Sequence, residues 1–234
     1  MSSVVKENLG NLQVFEMSSI NPKTVIFSRT DSIGDVVLTL PMIGIFKEFY
    51  PTCKVIFLGK KYTRAIAAIC KNIDEFVDWD EINFKPREER KTIFKTLNAE
   101  AIIHVFPNRK IASLAKRARI PLRIGTGHRV YHWLTCNKLL NFTRKNSDLH
   151  EAQLNLKLLE PFEIYRQYSL KELENYYGLK TIYHPNKEYR QGMPCLSQLI
   201  NLIDKNRFNL ILHPKSKGSA REWGLKNFSE LIKL

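Results

Sequence analysis

Two polar stretches hold the residue types suited to chemistry. The first, residues 29–35 (RTDSIGD), sets two acids four apart, Asp31 and Asp35, with Gly34 just before the second. It lies between a short apolar run, TVIFS, and a helical pattern, the kind of strand-to-helix junction where open α/β sheets place their ligands. An acid there serves as a helix cap or first-turn charge, favoured in its ionised form by the helix dipole. It also serves, in a cleft, as a general base that takes a proton from an attacking hydroxyl. The two roles are compatible for Asp35, because a helix start orients the group. Gly34 permits a sharp turn or a ligand lying against bare backbone. The second stretch, residues 213–223 (HPKSKGSAREW), offers Ser216, Lys217, Gly218, Ser219 and Arg221 as donors. Backbone N–H groups at a helix start plus cationic side chains are what a diphosphate needs, and Arg221 can grip two phosphate oxygens at once. The competing reading is an ordinary surface loop. The two stretches are expected to face one another across a cleft.

Several classes of chemistry find no support. There is no G-x-G-x-x-G, no phosphate loop ending in G-K-[ST], no HExxH and no G-x-S-x-G. The four cysteines, Cys53, Cys70, Cys136 and Cys195, lie far apart, which argues against a zinc site or disulfide framework and for a reducing cytoplasm. No secretory leader is visible, and the apolar run at 36–46 is shorter than the roughly 20 residues a bilayer requires. The net charge of +14 over 234 residues favours anionic partners: nucleic acid, phosphorylated sugars or an acidic membrane. Residues 101–147 contain no acid but carry Arg109, Lys110, Lys116, Arg117, Arg119, Arg123, Arg129, Lys138, Arg144 and Lys145. That block reads as a positive wall on a cleft or membrane side, or as a solvated helix face. No nucleic-acid module signature accompanies it.

The elements that must position these residues alternate between strand and helix. Strands are expected at 24–28, 54–58, 76–78, 101–106 and 123–125. Helices are expected at 35–49, 62–70, 87–97, 111–118 and 148–162, with Pro41 loosening the first and Pro161 stopping the last. Short apolar strands alternating with helices predict a doubly wound parallel sheet, so the stretches at 29–35 and after Phe106 share one edge. Residues 163–194 read as irregular. A helix at 196–205, a buried strand at 208–213 and a helix at 225–234 follow.

Four segments together resemble the glycosyltransferase family 9 heptosyltransferases: SRTDSIGDVVLTLPMIGIFKEFYP, VFPNRK with IPLRIGTGHR behind it, DLHEAQLNLKLLEPF and HPKSKGSAREWGLKNFSELIKL. The resemblance implies a GT-B architecture of two Rossmann-like domains. Its domains would be an N-terminal extension (1–22), an acceptor domain (23–165), a linker (166–194) and the start of a donor-binding domain (195–234). It implies inverting, metal-independent transfer of heptose from ADP-heptose, with no cofactor, to a lipopolysaccharide core acceptor at the inner membrane. Localisation would be cytoplasmic and peripheral to that membrane. Asp35 maps onto the family's catalytic acid. Arg29, Ser32, Gly34, Arg109, Lys110 and Arg129 are then expected on the acceptor, and Ser216, Lys217, Gly218, Ser219 and Arg221 on the donor diphosphate. Arg221 stands where the family has a lysine, keeping the charge but not the geometry. The family's later D-[ST]-G-x-x-H motif does not occur, so the second domain is expected to be incomplete, with apolar surface exposed around 208–212 and 225–234. The alternatives are a non-catalytic remnant that binds anionic glycolipid, or a basic nucleic-acid-binding α/β domain.

Overall fold

The computed structural model describes residues 21–143, 147–180, 201, 203–204, 206–215 and 221–233. Nearly all of the expected N-terminal extension, and most of the helix expected at 196–205, lie outside these residues. The chain divides into two units, residues 1–181 and 182–234.

In the first unit the run TVIFS forms β1 (Thr24–Ser28) at the heart of a sheet, with Val25, Ile26 and Phe27 fully buried. A strand buried on both faces has no need of polar alternation, which is why its apolar side chains run on continuously. The other strands are β2 (Lys54–Gly59), β3 (Glu75–Asp78), β4 (Ala101–His104), β5 (Leu122–Thr126) and β6 (Lys138–Leu140). All pair in parallel, in the order β3-β2-β1-β4-β5-β6. The chain therefore runs outward from β1 through β2 to β3, then returns to the other side of β1 as β4. That reversal puts a crevice outside the carboxyl ends of β1 and β4, where doubly wound sheets bind ligands. The residues following these two strands are the 29–35 stretch and the segment after Phe106.

Helices cover both faces. On one, Val25, Phe27, Val55, Phe57 and Ile103 pack with α1 (Ile33–Val37) and α2 (Leu40–Phe49). On the other, Ile26, Ile56, Leu58 and Ile102 meet α4 (Trp79–Asn83), α5 (Arg87–Thr96) and α6 (Arg109–Arg117). A short helix, α3 (Arg64–Ala68), lies between β2 and β3.

Several expectations need correction. The helix expected at 35–49 is two helices. It breaks at Leu38 and Thr39, and Pro41 sits in the first turn of α2, where a missing N–H goes unfelt. The helix expected at 148–162 is α8 (Glu151–Leu156) followed by a 3₁₀ turn (Lys157–Phe162) that contains Pro161; the left-handed Glu163 ends it. A helix α7 (Val130–Thr135) and the edge strand β6 were not expected at all. Residues 166–180, expected to begin a linker, instead belong to the first core. Tyr168 and Leu173 are buried there, the latter closing α9 (Leu170–Leu173). The Tyr176 carbonyl lies so close to Gly44 of α2 that a Cβ there would sit 2.1 Å from it.

In the second unit the buried strand expected at 208–213 is not formed. Phe208 and Ile211 are 90% and 89% exposed, and no described residue of this unit offers the strand neighbour that backbone N–H and C=O groups require. The last helix, α10, runs Leu225–Lys233 and exposes Leu225 and Ile232. Exposed apolar surface around both segments was the expectation. Among the described residues no helix is long and apolar enough to cross a membrane.

Candidate active site

The site is built on one buried charge. Arg29 continues the β1 ladder, its backbone N–H donating to the Leu58 carbonyl at 3.0 Å. Its side chain is 2% exposed, and a guanidinium so far from water persists only when paired and hydrogen-bonded. Each of its three nitrogens meets a different carboxylate. Nε donates to Asp31 Oδ1 at 2.7 Å, Nη2 lies 2.9 Å from Asp35 Oδ1, and Nη1 donates to Glu151 Oε1 at 3.2 Å. The three acids come from the loop, from α1 and from α8, so the cluster ties distant parts of the chain to the end of β1.

Local sequence explains each placement. Ser32 precedes α1 as its N-cap, and its Oγ donates to Asp35 Oδ2 at 2.6 Å. Thr39 Oγ1 returns to the Asp35 carbonyl at 2.9 Å, which fixes the end of that short helix. Glu151 opens α8, where His150 and Gln153 form a capping box, and the buried Asn155 donates to the Leu38 carbonyl at 3.2 Å. α8 is thereby docked on the end of α1 while its first residue reaches Arg29.

Asp35 is the member of the cluster that faces out, with 37% of its side chain exposed against 18% for Asp31 and 23% for Glu151. One of its oxygens is held by Arg29 and the other by Ser32, so its orientation is fixed while lone pairs remain for a substrate hydroxyl. Burial pushes the Asp31 carboxyl above the usual carboxylate range. Arg29 opposes that rise and the neighbouring Asp35 adds to it. The Tyr62 hydroxyl donates to the Asp31 backbone carbonyl, and burial together with Asp31, Asp35 and Asp80 raises its pKa.

Beside this cluster a groove runs along the carboxyl ends of β1 and β4, lined by Asp31, Lys60, Asp80, Asn83, Arg109 and Lys110. Thr30 also lines it, with a buried hydroxyl that has no protein partner. Asn108 caps α6 by accepting from the Lys110 and Ile111 N–H groups, which sets Arg109 and Lys110 at the groove. On the α6 side of the sheet, His104 stands opposite Ser28 in register. It is buried with no partner on either ring nitrogen. Burial first, then His132 and Arg123, press its pKa down to about 3.

The expected site residues thus divide. Asp35 and Ser32 are together, and Arg109 and Lys110 share a groove with Asp31. Arg29 was expected to contact an acceptor, but it is buried and saturated by carboxylates, so it positions Asp35 instead. Gly34 is helical and makes no sharp turn; a Cβ there would meet only Ser32 Oγ, at 4.0 Å. Arg129 caps α7 and does not line the groove. Ser216, Lys217, Gly218 and Ser219 lie outside the described residues, and Arg221 is exposed in the second unit. Part of the basic block is structural: Arg123 donates to the Thr135 and Ile120 carbonyls, and Lys116 to the Leu134 carbonyl. Sequence reasoning missed Glu151, Asp80 and Tyr62. The acid opening an amphipathic helix was the available signal for Glu151, but its partner lies 122 residues away. Among the described residues no group of three or more His, Cys, Asp or Glu side chains could hold a metal ion.

No protein-family model matches the chain. A Haemophilus influenzae protein named as a putative glycosyltransferase is 25% identical over 216 residues, covering 89% of this chain and 59% of its own. This chain therefore spans about six-tenths of that relative's length. Among solved structures, a glycosyl transferase of family 9 from Veillonella parvula matches 64% of this chain and 43% of its own, at 20% identity and TM-score 0.50. The Escherichia coli heptosyltransferase WaaC, solved with ADP-2-deoxy-2-fluoro heptose, matches 64% and 51%, at 17% identity and TM-score 0.52. The α/β sheet expected from the sequence is the fold these structures share.

Proposed function

We propose, from the premise that this chain belongs with the family 9 glycosyltransferases whose fold it carries, that it acts in transfer of a sugar from a nucleotide diphosphate donor. The donor read here is ADP-heptose, by analogy with the ligand in the E. coli structure. The acceptor read here is a phosphorylated lipopolysaccharide core sugar. The first unit supplies the acceptor side and the base.

One observation carries the proposal: a carboxylate, Asp35, stands partly exposed just after β1, beside the groove, while Arg29 and Ser32 hold it in one orientation. In the step proposed, Asp35 takes the proton of the acceptor hydroxyl as that oxygen attacks the anomeric carbon. The bond from that carbon to the diphosphate oxygen breaks from the opposite face, the nucleotide diphosphate leaves with the electron pair, and the configuration inverts. Arg109 and Lys110 would hold the acceptor's anionic groups, while the carboxylates and amides of the groove accept from and donate to its hydroxyls. Arg221 and the loop before it would bind the donor diphosphate. The test is transfer of labelled sugar from ADP-heptose to a deep-core acceptor. Product of inverted configuration supports the reading, and no transfer by a chain that binds donor and acceptor would refute it.

A further inference from the structure

A tyrosine near the crevice is held more firmly than an exposed side chain needs to be. Tyr62 lies in a 3₁₀ turn (Lys61–Thr63) that follows β2, the strand beside β1. The turn is pinned to its surroundings. The Thr63 N–H and hydroxyl donate to the Lys60 carbonyl at 2.9 and 2.8 Å, and the Lys61 N–H donates to Asp80 Oδ2 at 3.1 Å. Gly59 lies so close to it that a Cβ there would sit 2.9 Å from Thr63 Oγ1. Tyr62 itself is 52% exposed, yet its hydroxyl donates to the Asp31 carbonyl. The ring is thus fixed at its backbone end and at its hydroxyl, with about half of the residue open to water. A ring held in this way gives up little conformational freedom when a ligand covers it.

The groups around the ring are mostly acidic. Asp31 meets its hydroxyl, Asp80 holds its turn, and the charges of both, with that of Asp35, act on its phenol. Asp31, Asp80 and Lys60, the residue before the turn, line the groove. Ile33, 44% exposed, opens α1 two residues before Asp35. Carboxylates accept hydrogen bonds from hydroxyls, and a rigid aromatic face offers apolar surface. A sugar ring needs both, since its hydroxyls project from the edge while its C–H bonds lie over the face. An apolar ligand would cover these carboxylates without giving them a donor, and a purely anionic one would be repelled by them.

We propose that Tyr62 is a specificity-determining residue: its ring is the platform on which the acceptor sugar lies, C–H face down, so that one of the sugar's hydroxyls meets Asp35. The Tyr62 hydroxyl stays on Asp31 and takes no part in the chemistry. The inference rests on the sugar transfer proposed above and adds to it the part of the acceptor that is read, a sugar ring with an unbroken face of C–H bonds beside the attacking hydroxyl.

The test is titration of the purified chain with a deep-core oligosaccharide in the absence of donor, followed by transfer kinetics with ADP-heptose. Tyr62→Ala should weaken oligosaccharide binding and raise the acceptor KM about tenfold, with kcat and donor affinity near the parent values. Tyr62→Phe keeps the face and loses the tether, and should stay within about threefold of the parent. A residue that only held the fold would instead lower the urea midpoint and impair donor binding, acceptor binding and turnover together. The donor-free titration separates this inference from the transfer reading. A parent that binds the oligosaccharide but transfers nothing refutes transfer, while lost binding in Tyr62→Ala still supports the platform. The inference is overturned if Tyr62→Ala binds the oligosaccharide like the parent, if Tyr62→Phe loses as much as Tyr62→Ala, or if the parent binds no oligosaccharide.

Discussion

Replacing Arg29 by Met tests the organisation of the site at its centre. The substitution keeps most of the side-chain length and removes the cation that three carboxylates share. It breaks ion pairs of 2.7, 2.9 and 3.2 Å, made by a side chain only 2% exposed. Removing one partner of a buried ion pair costs about 3–5 kcal/mol. The low end applies here, since Asp35, Glu151 and Asp31 keep some contact with water, so the expected loss is about 3 kcal/mol. That is a large part of the ~5–15 kcal/mol that holds a typical domain folded. The assay is urea unfolding of the chain followed by circular dichroism.

Acid should rescue the variant. Without Arg29 the burial and the Asp35 charge that raise the Asp31 pKa lose their main opposition, so folded Asp31 binds a proton more readily than unfolded, and the variant's deficit against the parent shrinks as pH falls. Glu151→Gln adds an internal check. In the parent it removes a useful contact and destabilises; combined with Arg29→Met, where that contact is already gone, it should cost less. A deficit below about 1 kcal/mol, a deficit indifferent to pH, or additive effects of the two substitutions would refute the clamp.

Three further outcomes are expected. His104 is buried neutral with its pKa near 3, so the unfolded chain binds the extra proton between about pH 6.5 and 3. Stability should therefore fall on acidification through that range by up to about 1.4 kcal/mol per pH unit, and His104→Leu should flatten the slope by about one proton, as read from urea midpoints at several pH values. Gly44→Ala drives a methyl into the Tyr176 carbonyl and should cost about 1–3 kcal/mol or detach residues 166–180, visible as faster proteolysis there; wild-type stability would contradict the packing. Arg221→Ala should weaken binding of ADP-heptose about tenfold or more in calorimetry if its guanidinium grips the diphosphate.

Much of the fold could be read from apolar runs. TVIFS, KVIFL and the AIIH of AIIHVF are strands because continuous apolar side chains suit a sheet covered on both faces; the last of these stops at His104, two residues short of the expected end. Their alternation with helices gave the parallel order and hence the shared edge. What escaped was decided by contacts remote in sequence. α7 has no inward apolar stripe, since His132 and Thr135 take the buried side, so its period pointed the wrong way. Residues 166–180 looked irregular, yet Tyr168 and Leu173 find places in the core that only the assembled sheet provides. Residues 208–213 show the reverse: an apolar run reads as a buried strand, but pairing needs neighbours that a sequence pattern cannot supply. At the site, Asp35 was legible from its position between strand and helix. Arg29 was expected on an acceptor through the family resemblance, and its place in a polar loop after β1 gave no sign of burial. Its burial depends on Glu151, and nothing local to either residue announces that pair.

The central claim is that Asp35 is the base for sugar transfer. The most direct measurement is turnover of ADP-heptose and a deep-core acceptor by Asp35→Asn beside the parent, with donor affinity measured on both. Asn keeps the shape and the Ser32 and Arg29 neighbours but cannot take a proton. Turnover should fall about a hundredfold or more while donor affinity stays near the parent value. Transfer at the parental rate would contradict the assignment.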